Sequence, residues 1–276
     1  MQKKQKIYII VTIIAAMAAI AFGTLSGISF AKKGMRNSLP VQRADNIYKA
    51  VRDGDIYVES DIDGKICCLD ANEPDAQKWE YSRNDVTEGA IAPSVNCLNI
   101  ANGAVYAAYG DRYIFSFDVT SGAVLNCWYI GYEPKKTVFN DAGNTFAVFG
   151  ETNGVKAVYV LSASDRGHTF EEPQRTKRSL TLNKDFGLEN GCADLKLTDN
   201  ELYIATETSA ILKIPYDQES FCGEDEITEF FSSDGNFVLL GVDGGRIFAL
   251  DVNGVYYNFD ENGNAITKTK FDATVT

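Results

Sequence analysis

Beyond position 46 the chain alternates short apolar, aromatic-rich runs with turn residues, and the alternation repeats. The clearest copies are Asp55-Ile-Tyr-Val-Glu-Ser-Asp-Ile-Asp-Gly-Lys-Ile-Cys-Cys-Leu-Asp70 and Gly235-Asn-Phe-Val-Leu-Leu-Gly-Val-Asp-Gly-Gly-Arg-Ile-Phe-Ala-Leu-Asp251. Between them lie Ala104-Val-Tyr-Ala-Ala-Tyr-Gly-Asp-Arg-Tyr-Ile-Phe-Ser-Phe-Asp118 and two looser versions starting at Thr145 and Glu201. Each copy is an apolar run, a turn and a second run that usually ends in Asp. A period of roughly 40–50 residues built from short strands predicts one sheet per copy, stacked because no sheet buries both faces alone. The expected fold is all-β: a β-propeller of about five four-stranded antiparallel blades over residues 46–276.

The turns carry the chemistry that tight hairpins need. Asp53-Gly54, Asp63-Gly64, Asn102-Gly103, Asn153-Gly154, Asp234-Gly235, Asn253-Gly254 and Asn262-Gly263 each supply positive φ, so each predicts a hairpin. The first blade parses as Ile47–Val51, Asp55–Ser60, Lys65–Asp70 and Gln77–Tyr81. The last parses as Asn236–Val242, Arg246–Val252, Val255–Asp260 and Ala265–Phe271. Blade two runs from about Val95 to Ile130, blade three from Thr137 to about Leu182, and blade four from Cys192 to Phe231. Pro173 to Asn183, with Arg175, Lys177 and Arg178, reads as a loop elaboration of blade three. Strands such as Tyr113-Ile-Phe-Ser-Phe117 are apolar nearly throughout, as expected of sheets covered on both faces. The 14 Tyr and 16 Phe are expected to fill the gaps between blades.

The N-terminus differs in kind. Ile7 to Phe30 is uncharged, and at about 1.5 Å per residue a helix of that length crosses a hydrocarbon core of about 30 Å. Its length favours an uncleaved transmembrane anchor. A signal peptide cleaved after Ala31, at Ser29-Phe30-Ala31, is the alternative and would give a secreted protein. Residues 1–31 are therefore the anchor or signal and 32–45 a short polar linker. A short basic N-tail stays in the cytoplasm, which places the propeller outside it, at a bacterial cell membrane.

Charge is as unevenly spread as hydropathy. The net charge is −12, yet residues 1–36 carry Lys3, Lys4, Lys6, Lys32, Lys33 and Arg36 and no acid. The remaining residues hold 20 basic against 38 acidic side chains. So acidic a domain repels nucleic acid and suits a basic partner. Six cysteines (Cys67, Cys68, Cys97, Cys127, Cys192, Cys222) permit disulfides, but most fall inside predicted strands as small apolar residues. No zinc spacing exists, and His168 is the only histidine. Asp61-Ile-Asp63-Gly64 and Asp260-Glu-Asn262-Gly-Asn264 resemble the start of calcium loops but lack the distal Glu, so hairpin turns are the expected use. No metal, cofactor or catalytic residue is expected.

The strings Ile247-Phe-Ala-Leu-Asp251 and Ile56-Tyr-Val58 with Asp63-Gly-Lys-Ile-Cys-Cys-Leu-Asp70 resemble the repeat of pyrroloquinoline-quinone-like, WD40-like propellers. Asp118, Gly122 and Trp128, and likewise Asp70 and Trp79, echo the end of that repeat. The resemblance implies that Trp79 and Trp128 dock between blades as structural glue. Ser164-Asp-Arg-Gly-His-Thr-Phe170 is similar to the Asp box of sialidase-type propellers, matched at Asp165, Gly167, Thr169 and Phe170, with Ala163 where a Ser belongs. That resemblance implies a hairpin device: Asp165 bonds turn amides, Gly167 permits the bend, and the aromatic Phe170 packs beneath. Quinoprotein dehydrogenases with a similar repeat carry a vicinal disulfide against the cofactor. Here Cys67-Cys68 stands mid-strand, where Ser116-Phe117 and Ala249-Leu250 stand in other copies, and such enzymes need about eight blades. No quinone is expected.

The functional expectation is a membrane-anchored extracytoplasmic module for protein interaction or ligand sensing, with a protein partner of unknown identity. The alternative is an exported propeller enzyme acting on carbohydrate. That alternative needs paired carboxylates around a pocket, one with a raised pKa.

Overall fold

The computed structural model of the chain describes residues 47–73, 76–83, 93–176, 178–184, 186–189, 191–217, 220–221, 223–243 and 246–270. The expected helix Ile7–Phe30, the linker 32–45 and Cys222 lie outside the described residues. Within them the regular structure is almost entirely strand. The first sheet is β1 (Ile47–Asp53), β2 (Ile56–Asp61), β3 (Ile66–Asp70) and β4 (Gln77–Tyr81). The second is β5 (Val95–Ala101), β6 (Ala104–Tyr109), β7 (Tyr113–Asp118) and β8 (Val124–Tyr129). The third takes β9 (Glu133–Phe139), β10 (Thr145–Thr152) and β11 (Val155–Ser162), skips β12 (Gln174–Arg175), and ends with β13 (Ser179–Leu182). The fourth is β14 (Cys192–Leu197), β15 (Glu201–Thr206), β16 (Ala210–Pro215) and β17 (Thr228–Ser232), preceded at its last strand by a 3₁₀ turn, Glu224–Glu226. The fifth is β18 (Phe237–Asp243), β19 (Arg246–Asp251), β20 (Val255–Phe259) and β21 (Ala265–Lys270). Pairing within these sheets is antiparallel and joins strands consecutive in the chain, except that β11 pairs with β13 and β12 joins β8 in parallel.

Local sequence explains the hairpins. Asn102-Gly103 and Asn153-Gly154 hold positive φ at both residues, as the two-residue turns between β5 and β6 and between β10 and β11 require. The recurrent terminal Asp has a physical reason as well. Asp70 accepts the Asn72 amide, Asp118 those of Thr120 and Ser121, Asp251 those of Asn253 and Val255, and Asp260 those of Asn262 and Asn264. Each carboxylate thus starts the turn that follows its strand. One expected hairpin is not one: Asp234-Gly235 links β17 to β18 and so joins the fourth sheet to the fifth.

The sheets stand side by side in chain order through their first strands: β1 against β5, β5 against β9, β9 against β14, and β14 against β18. No comparable contact joins β18 to β1 among the described residues. Four apolar clusters fill the gaps between neighbours. Val58, Ile66 and Cys68 meet Val105, Phe115 and Phe117; Tyr106, Ile114 and Trp128 meet Phe146, Val148 and Tyr159. Phe149, Val158 and Val160 meet Leu202, Ile204 and Leu212; Tyr203 and Ile211 meet Ile247, Ala249 and Tyr257. Alternate positions of one strand therefore serve two clusters, which is why β6 is buried at every residue.

This packing fixes an alkaline limit. Burial pushes Cys68 and Cys97 up to about 11, and Cys127, Tyr57, Tyr159 and Tyr216 up to about 12. Their ordinary values are 9.0 and 10.0, so the unfolded chain ionises first as pH rises. Stability from these groups is whole below about pH 9 and is lost as pH climbs through the folded values. Urea midpoints are expected to hold steady between neutral pH and about 9 and to fall steeply above about 10. A flat profile through that window would contradict the burial of these groups.

Candidate functional site

Two polar constructions stand out from the apolar stack. The first is a belt on the first strands of the sheets. Asn96 on β5 donates to Glu133 at 3.0 Å and to the Pro134 carbonyl at 2.9 Å, reaching β9. Asn99 donates to the Thr137 hydroxyl at 2.5 Å. Lys136 on β9 bonds the Ala193 carbonyl and lies 3.3 Å from Asp194 on β14. The other oxygen of Asp194 accepts the backbone amide of Leu240 on β18 at 2.8 Å. The second to fifth sheets are thus tied through their first strands. Only polar side chains long enough to bridge two first strands, each with a partner waiting, are tolerable at such half-buried places.

The second construction is a strap. After β11 the chain leaves the third sheet, crosses to the outer edge of the second and returns to form β13. Residues Gln174–Arg175 there add a parallel strand beside Trp128 and Tyr129. Pro173 to Asn183, expected as a loop, therefore contains strands of two different sheets. Asn126, fully buried, organises the crossing: it accepts the His168 amide at 3.0 Å and donates to Gln174 at 2.9 Å. The Gly167 amide donates to the Leu125 carbonyl at 2.9 Å.

The residues of the Asp-box-like segment all lie in this strap. The Asp165 carboxylate accepts Gln174 at 2.7 Å and the Trp128 indole N–H at 3.4 Å, with no turn amide among its partners. The turn amides of Gly167 and His168 go to the second sheet instead, so the segment is fastened outward across sheets. Gly167 holds φ 92°, and the Thr169 hydroxyl accepts the Glu172 amide at 3.4 Å. Phe170 is half-buried against Tyr113, ring centroids 4.7 Å apart, in the cluster between the first and second sheets. Trp79 lies in that same gap, donating to the Val119 carbonyl at 2.9 Å. A Cβ on Gly122 would come within 2.7 Å of its ring, so that turn admits only glycine. Trp128 fills the next gap, edge-on to Phe146. The structure thus brings Asp165, Gly167 and Trp128 together and leaves Trp79 in a separate gap.

Sequence patterning misses Arg83. Its guanidinium sits 4.9 Å from the ring centroids of Tyr109 and Phe170, 5.2 Å from Tyr113 and 5.3 Å from Phe115, with Asp111 at 2.8 Å. The side chain is 3% exposed. It joins the end of the first sheet, the second sheet and the strap. The only local sign is an arginine two residues after an aromatic strand end, Tyr81, which has no specificity.

The carboxylates with displaced pKa values are all held low. Amide hydrogen bonds depress Asp70 and Asp118, and Asn264 depresses Asp260. Backbone and Thr169 hydrogen bonds depress Glu171, and Lys184 depresses Asp225. Among the described residues no group of three or more His, Cys, Asp or Glu could hold a metal ion. Cys67, Cys68, Cys97, Cys127 and Cys192 are thiols. Cys68 faces the second sheet, and its strand neighbour Cys67 points the opposite way, so a vicinal disulfide would break β3. Iodoacetamide at neutral pH, read by peptide mass spectrometry, is expected to label Cys68, Cys97 and Cys127 slowly in the native protein and rapidly in denaturant. Fast native labelling of Cys127, which is fully buried, would show that the first and second sheets part readily.

No protein-family model matches the chain, and no curated protein matches it. Solved structures do resemble it. The computationally designed Ika8 protein superposes with a TM-score of 0.50 at 12% identity, over 81% of this chain and 61% of that one. The fold is propeller-like. The chain thus spans about 61% of the designed protein's length. BamB from Moraxella catarrhalis, a pyrroloquinoline-quinone-like propeller protein, superposes with a TM-score of 0.45 at 15% identity, over 79% of this chain and 74% of that one. At such identities the likeness is one of fold.

Proposed function

We propose that the protein is a membrane-anchored, extracytoplasmic module for protein interaction or ligand sensing. The observation that carries the reading is the way the conspicuous polar groups are used. Asp194, Lys136 and Asn96 bind sheet to sheet, Asn126 fastens the strap to the second sheet, and Asp70, Asp118 and Asp260 bind their own turns. What this bracing makes is a stiff platform that presents loops at both ends of five sheets, and rigid platforms with variable loops serve recognition. The acidity of the chain beyond residue 36 supports a basic partner surface, which gives attraction at long range and sensitivity to salt. The anchor rests on Ile7–Phe30, whose uncharged run has the length of a membrane span.

The alternative, an enzyme acting on carbohydrate, requires a carboxylic acid held protonated beside a second carboxylate. The displaced carboxylates described above are shifted the other way. The test is cross-linking of the full chain in intact bacterial membranes, followed by rebinding of the recovered partner to purified protein. The expected outcome is a partner that binds at low salt and dissociates as ionic strength rises. Full-length protein that washes from membranes in carbonate would overturn the anchor. Turnover of aryl glycosides by the purified protein would overturn the binding reading.

A further inference from the structure

We draw no further inference here: the strongest candidate, the face of the fifth sheet that turns away from the fourth and carries Leu239, Phe248, Leu250 and Tyr256, carries nothing because no observation in the structure shows what covers it.

Discussion

Replacing Trp128 with alanine is expected to cost about 4 kcal/mol of folding stability, the largest effect of any single change described here. The ring is fully buried between the second and third sheets, against Phe146 and Tyr106. Truncation opens a cavity that strands paired on both sides cannot close by relaxing. It also removes the indole N–H from Asp165, the side chain that holds Gln174 in the strap. For a chain of this size, about 4 kcal/mol is a fall in Tm of roughly 10 °C. The strap is expected to loosen at the same time, so limited trypsin treatment of the variant cuts after Arg166, an exposed strap residue, well before it cuts wild type. Urea unfolding measures the first effect and mass spectrometry of the digest the second. A loss below about 1 kcal/mol would mean that the two sheets are not held together as described.

The second large effect is expected at Arg83, where two contributions can be separated. The ion pair with Asp111 is short, but the Asp111 side chain is 34% exposed, and pairs with such an open partner contribute under about 1 kcal/mol. Four aromatic rings surround the guanidinium out of water, where cation–π attraction amounts to about 2 kcal/mol or more. Arg83→Ala loses both and leaves a hole between the rings, for a total of about 3 kcal/mol. Asp111→Asn is expected to lose less than about 1 kcal/mol. Arg83→Lys recovers little, because an ammonium is a compact, strongly hydrated charge where a flat guanidinium had stacked. Urea midpoints of the three variants decide the matter. If Asp111→Asn matches Arg83→Ala, the ion pair and not the rings holds this corner.

These two residues show where sequence reading succeeds and where it stops. Gln77–Tyr81 is legible to the residue, because polar residues alternating with Trp79 and Tyr81 are a local signal with a fixed period. The recurrent Asp is legible as a mark of the repeat, and its use in starting turns follows from side-chain length. What escapes is everything decided between distant segments. The two-residue strand Gln174–Arg175 is too short to carry a period, and its place beside Trp128 depends on the Asn126 amide. Asp165 matches a hairpin pattern at four positions, yet its partners lie on another sheet because the segment crosses over. Asp234-Gly235 has the composition of a hairpin turn and serves as a junction. Arg83 is one arginine among others until the fold brings four rings around it.

The strap has a consequence for how the chain comes into being. In an array where each unit touches only its neighbours, units mature one after another as the ribosome releases them. Here Gln174 bonds Asn126 from 48 residues further along, so the second unit emerges with its outer rim unfinished. It waits for most of the third before its edge is sealed. During that interval the exposed rim of β8 is open to pairing with any passing strand, including one from a neighbouring nascent chain. The first three units then mature as one cooperative block, and hydrogen exchange at Trp128 and at Gln174 should report a single opening event. Assembly from the N-terminus is therefore vectorial in synthesis but not in completion.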